Sequence, residues 1–101
     1  MAATSAATSV LPEDLAAQVR ALGARHGIRR IRVFGSMARG EARPESDIDL
    51  LVEYEPGHGG FAFVDFCEAV EHLLGRRVDV VTERSLHPLV RDKVLAQAVP
   101  L

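Results

Sequence analysis

The run Gly35 to Val52, GSMARGEARPESDIDLLV, decides how this chain is read. Its second half opens a segment from Asp47 to Tyr54 in which Ile48, Leu50, Leu51 and Val52 supply the apolar content of a strand. Side chains in a strand alternate faces, so Asp47 and Asp49 point one way while Ile48 and Leu50 point the other. The two carboxylates then stand about 7 Å apart on one face, and they repel each other when both are ionised. Mg²⁺ resolves that repulsion, because this hard ion takes one or two carboxylates and completes its shell with water and substrate phosphates. Taken alone, the Asp-x-Asp pair fits a solvated strand edge or a cap equally well. An EF-hand loop is disfavoured, since the glycine and the later glutamate are missing at the required offsets.

The first half of the run changes that balance. Ile31 and Val33 alternate with Arg30 and Arg32, the pattern of a half-buried strand ending at Phe34. Gly35-Ser36 breaks it, and Met37-Ala38-Arg39 reads as one short helical turn closed by Gly40. Backbone N–H groups and the positive end of a helix face outward at such a turn. Gly35 lets a phosphate approach the backbone, the Ser36 hydroxyl adds a donor, and Arg39 can reach the same anion. The plain alternative is a strand-to-helix turn with a surface arginine. Residues 41–46, with Pro44, read as a short loop joining this turn to the acid pair, so phosphate donors and metal ligands would meet.

The third element is Asp79. Val78, Val80 and Val81 make Arg77–Val81 read as a buried strand, where an unpaired carboxylate is costly. Either a salt bridge to Arg76, Arg77 or a neighbouring strand's arginine satisfies it, or it is a third metal ligand that helps to deprotonate an attacking hydroxyl. Two metals clamping the attacking and leaving oxygens would stabilise an in-line displacement at phosphorus.

The rest of the chain sets the frame. Its 101 residues make room for one domain with a single core, and 48% hydrophobic with 26% charged residues is the balance of a soluble globular protein. Residues 1–11 read as a flexible tail and 12–101 as the domain. No run approaches the ~18 apolar residues of a membrane span, and the N-terminus has no secretory signal, which points to the cytoplasm. A net charge of -2, with one Tyr and no Trp, argues against long nucleic acid as a substrate. Cys67, among Phe63, Val64, Phe66 and Val70, reads as a core hydrophobe. The four histidines are scattered, so zinc is not expected, and His58 reads as a solvated loop residue. Arg29, Arg30 and Arg32 read as a solvated strand face, with pairing to an acidic partner or to the active-site carboxylates as the alternative.

A first helix is expected from Pro12, with Leu15, Val19 and Leu22 inward and Gly23 or Gly27 as its stop. A second runs from Phe61 to Leu74, with Phe63, Cys67, Val70 and Leu74 on one face and Gly75 as its stop. A third starts at Pro88 and reaches Val99, with an apolar stripe of Leu89, Val90, Val94, Leu95 and Ala98. The order is helix, strand, strand, helix, strand, helix. The fold class is therefore α/β (α+β): a small mixed β-sheet of three or four strands flanked by helices.

Gly35-Ser36, Ala38-Arg39-Gly40 and Ser46-Asp47-Ile48-Asp49-Leu50, with Asp79 on a later strand, resemble the minimal nucleotidyltransferase family of the DNA polymerase beta superfamily. The resemblance runs from about Ile28 to Leu101. It implies a polymerase-beta-like palm core, two Mg²⁺ ions and ATP as the nucleotide donor. Asp47, Asp49 and Asp79 would be the catalytic metal ligands. Gly35 and Ser36 would contact the triphosphate, with Arg39 as a further phosphate contact and Ser46 shaping the loop beside them. Many such proteins are antitoxins that pair with a HEPN-domain RNase toxin and transfer AMP to one of its tyrosines, so a hetero-oligomer with that toxin is expected. Larger nucleotidyltransferases carry an extra domain for the acceptor, and 101 residues leave no room for one. Two rival functions remain: an antitoxin that only masks the toxin, and a small-molecule nucleotidyltransferase.

Overall fold

The computed structural model describes residues 11–41, 43, 46–57 and 61–101, with Phe61 described in its backbone only. The expectations placed on residues 1–10, Pro44 and His58 lie outside the described residues. Helix α1 spans Glu13–Arg25, strand β1 Ile28–Phe34, strand β2 Ile48–Tyr54, helix α2 Phe61–Leu74, strand β3 Val78–Thr82, helix α3 Pro88–Gln97 and strand β4 Val99–Pro100. A single 3₁₀ turn, Glu83–Ser85, links β3 to α3.

The sheet has four strands in the order β3-β2-β1-β4. Strand β1 runs antiparallel to both β2 and β4. Strand β2 runs parallel to β3, with α2 as the crossover between them. This is the mixed sheet flanked by helices that the sequence pattern implies.

One face of the sheet carries the core. Ile31 and Val33, then Ile48, Leu50 and Val52, then Val78 and Val80 meet Ala16 and Val19 of α1 and Phe66 and Val70 of α2. Alternation sends the neighbouring residues to the opposite face, and these include Asp49, Leu51 and Glu53 of β2 and Asp79 of β3. Leu51 is fully buried but stands outside the main cluster.

Several expectations need correction. Gly23 does not end α1. It is buried within the helix, where a Cβ would lie 2.8 Å from Ile31 Cδ1, so it allows α1 to approach β1 closely. Leu11, assigned to the tail, is buried in the core. Helix α3 stops at Gln97 and has no buried residue; Leu89 is 85% exposed and Val90 is 43% exposed. Its stripe is therefore not core. Val99 belongs to β4, pairing with Val33 while Pro100 pairs with Arg32. Two residues carry no period that would show as a strand, and an edge strand is where a proline without an N–H is tolerated. Gly75, by contrast, ends α2 at φ +65 as expected.

Candidate active site

Strand β2 begins immediately after Asp47, and its pairing sets the geometry of the site. In the parallel ladder Asp49 lies opposite Asp79, with Ile48 opposite Val78 and Leu50 opposite Val80. Partners in register share a face, so Asp49 and Asp79 project together from the side away from the helices. Asp47, two residues before Asp49, completes the group.

On the other flank of β2, Asp49 is paired with Phe34, the last residue of β1. The chain turns there on Gly35, at φ +74. A Cβ at Gly35 would collide with Asp49 Oδ2 and stand 3.2 Å from Asp49 Cγ. The Asp49 carboxylate therefore lies against bare backbone, in space that only glycine leaves open. Beyond it the backbone closes one turn, with Arg39 N donating to Gly35 O at 3.1 Å and Glu41 N to Ser36 O at 2.9 Å. The Ser36 hydroxyl has no hydrogen-bond partner among the described residues.

Electrostatics mark the same spot. Burial pushes the Asp49 carboxyl above the usual carboxylate range, and the charges of Asp79 and then Asp47 push it further, with Arg39 opposing. No ion pair to Asp47, Asp49 or Asp79 is formed among the described residues. Arginines that the sequence offers as alternative partners for them are engaged elsewhere. Arg29, Arg30 and Arg32 converge on Glu53 at 3.4, 3.3 and 3.5 Å. Arg76 donates to the carbonyls of Arg43 and Ser46. No local pattern in the sequence announced either arrangement, because partners more than 20 residues apart meet only through the fold.

The remaining candidates sit as follows. Arg39 binds Glu41 at 2.9 Å and reaches Gln97 at the end of α3 at 3.4 Å, so its guanidinium is held beside the turn. Ser46 Oγ accepts from Arg43 N at 2.8 Å, a bond that closes the loop on itself. Asp79 is exposed, since β3 is an edge strand, and the premise that it is buried fails. Cys67 is half-buried, and burial followed by the charges of Glu71 and Asp79 pushes its thiol up, away from a reactive thiolate.

The donor set suits a hard divalent cation: carboxylate oxygens on adjacent strands that form no ion pair among the described residues. In their present rotamers the described residues form no group of three or more His, Cys, Asp or Glu able to hold an ion. Like charges side by side keep apart. Closure onto a cation asks for side-chain rotation, because the backbone register already sets Asp49 beside Asp79.

A small α/β layer with a glycine turn against a strand-borne carboxylate group is the framework of a nucleotide-handling domain. Comparison with known proteins gives the particular family. The family model described as nucleotidyltransferase domain matches residues 15–100. The protein adenylyltransferase MntA of Thermococcus cleftensis is 42% identical over 85 residues, covering 84% of this chain and 86% of its own. A solved structure of a protein assigned as a minimal nucleotidyltransferase superposes with a TM-score of 0.79 at 50% identity, covering 88% of this chain and 91% of the other. An antitoxin solved in complex with the tri-AMPylated HEPN toxin of Shewanella oneidensis shares the fold, with a TM-score of 0.65 at 20% identity over 87% of this chain and 69% of its own. The chain belongs to the nucleotidyltransferase domain family and is a nucleotidyltransferase.

Proposed function

We propose that this nucleotidyltransferase is a Mg²⁺-dependent protein adenylyltransferase that moves AMP from ATP onto a tyrosine hydroxyl of a HEPN-domain RNase toxin, and so acts as that toxin's antitoxin. The observation that carries the reading is the register of Asp49 on Asp79, with the Asp49 carboxylate lying against Gly35. The named activity of the T. cleftensis relative supports protein as the acceptor, and the S. oneidensis complex, of the same fold, supports a HEPN partner.

In this reading Asp47, Asp49 and Asp79 hold the metal. Bound there, Mg²⁺ neutralises phosphate charge and polarises the oxygens that exchange at phosphorus. Gly35 keeps the backbone low beside Asp49, so that a phosphate can lie against it. The Ser36 hydroxyl, without a hydrogen-bond partner among the described residues, donates to the same group. Arg39 adds positive charge once it leaves Glu41. Asp79, exposed on the edge strand, faces the side from which an acceptor arrives. The acceptor oxygen forms a bond to the α-phosphorus, the bond from that phosphorus to the bridging oxygen breaks, and pyrophosphate leaves. The hydroxyl proton passes to Asp79 and on to solvent.

The test mixes the purified chain with labelled ATP, Mg²⁺ and the toxin. Label transfers to the toxin with the wild-type chain and is lost with Asp47→Asn and Asp49→Asn. Equal labelling by these variants would remove the catalytic reading. Full neutralisation of the toxin by an Asp47→Asn/Asp49→Asn/Asp79→Asn chain would leave masking as the function.

A further inference from the structure

We infer that Arg76 is a positioning residue for the metal site: its guanidinium pins the peptide that enters β2 and thereby fixes where Asp47 projects. The inference rests on the reading of Asp47 as a metal ligand. Arg76 lies between the glycine that ends α2 and the first residue of β3. Its Nη2 donates to Arg43 O at 3.1 Å and, in a shorter contact, to Ser46 O. Ser46 O belongs to the peptide that joins Ser46 to Asp47. On the far side of Asp47, Ile48 N donates to Arg77 O at 3.0 Å. Asp47 is thus bracketed by the two consecutive residues that lead into β3, the strand that carries Asp79.

The bracket has a reason to exist. Asp47 precedes the first ladder residue of β2 and its side chain is exposed, so packing does not hold it. The loop's own bonds, Arg43 N to Ser46 Oγ at 2.8 Å and Ser46 N to Arg43 O at 2.9 Å, close a local turn but tie it to no other element. Arg76 supplies that tie. Both bonds leave one nitrogen, Nη2, whose two N–H groups are fixed in the guanidinium plane, where a lysine offers a freely rotating point charge. Its hydrogen bonds go to neutral carbonyls and not to Asp79.

The experiment follows Mn²⁺ binding by titration, together with amide hydrogen exchange, on metal-free chains carrying Arg76→Met, Arg76→Lys or Asp47→Asn. Removal of an outer residue that orients a metal ligand typically weakens binding by about 10- to 100-fold. Arg76→Met is expected to weaken Mn²⁺ binding by about tenfold at the low end of that range. It should also speed exchange at the Ser46 and Ile48 amides while leaving Leu50 and Val52 protected. Arg76→Lys should fall between Arg76→Met and wild type in both measurements. Saturating metal should restore most of the transfer rate of Arg76→Met, a change in metal demand and not in turnover. Unchanged Mn²⁺ affinity in Arg76→Met, or exchange that rises evenly along β2, would overturn the inference. Asp47→Asn binding Mn²⁺ as tightly as wild type would instead strike the underlying assignment of Asp47 as a ligand, whatever Arg76 does.

Discussion

Gly35→Ala is the sharpest probe of the site, because two separable penalties meet there. Glycine sits at φ +74, where an L-residue costs about 1 kcal/mol or somewhat more. The new methyl would also overlap Asp49 Oδ2 and press on Cγ at 3.2 Å, while Asp49 Cβ at 3.5 Å is an ordinary contact. Relief comes by swinging the carboxylate off its rotamer, which costs about 1 kcal/mol more. The sum of about 2 kcal/mol should lower the melting temperature by roughly 10 °C in a domain of this size. Displacing by an ångström a carboxylate that the proposed function makes a metal ligand should cut nucleotidyl transfer by about 100-fold. The two penalties are told apart by repeating the substitution in an Asp49→Ala chain, where no carboxylate remains to be struck. There Gly35→Ala should cost only the backbone part, about half as much, so that a double-mutant cycle shows a coupling of about 1 kcal/mol. Thermal unfolding in EDTA supplies all four stabilities. Equal cost in both backgrounds would mean that Gly35 serves the turn alone, and the close approach to Asp49 would lose its functional meaning.

Asp49→Asn removes one of three neighbouring charges with little change in shape. At near-water screening each such repulsion is worth under ~1 kcal/mol, so the variant should melt slightly above wild type in EDTA and lack the Mg²⁺-induced rise expected of wild type. A lower melting temperature in EDTA would refute the repulsion. The pH response has a definite sign: a carboxyl held above its ordinary range burdens the fold most above its raised pKa, and the burden fades as pH falls through that value toward the ordinary one. The stability gap between Asp49→Asn and wild type should therefore narrow on acidification, and a gap constant across that window would count against the shift. Gly23→Ala places a methyl 2.8 Å from Ile31 Cδ1. It should change stability by under ~1 kcal/mol, because the gain in helix propensity offsets the shift of the Ile31 Cδ1 methyl, the movable end of that side chain, with transfer kinetics unchanged; altered kinetics would show that α1 couples to the site.

What the sequence carried well was whatever depends on short-range period. The alternation around Ile31 and Val33 and the mixed apolar run of β2 placed both strands, and Gly75 ended α2 where a positive φ was needed. Turn and acid pair are contiguous, so their meeting needed only that β1 and β2 be neighbours. Contacts across long separations left no trace in local pattern. Arg39 with Gln97 and Arg76 with Ser46 are examples. So is the gathering of Arg29, Arg30 and Arg32 on Glu53, which keeps these cations off the aspartates. The stripe on α3 misled for a related reason: apolar spacing shows which residues share a helix face, not whether anything covers that face, and Leu89 is 85% exposed.

Asp79 shows the limit most clearly. Its valine neighbours suggested burial, yet strand order puts β3 at the edge, and alternation buries Val78 and Val80 while leaving the residue between them exposed. Its place in the site therefore cannot rest on the cost of an unpaired buried charge. It rests on register. A slip of one residue between β2 and β3 would turn Asp79 toward α2 and the core, and Val78 or Val80 toward the acids. That slip is opposed by Val78 and Val80, both 7% exposed, packing in the cluster with Phe66 and Val70. The apolar residues of β3 thus aim its carboxylate, and the core that they pack into is what holds the acids in register.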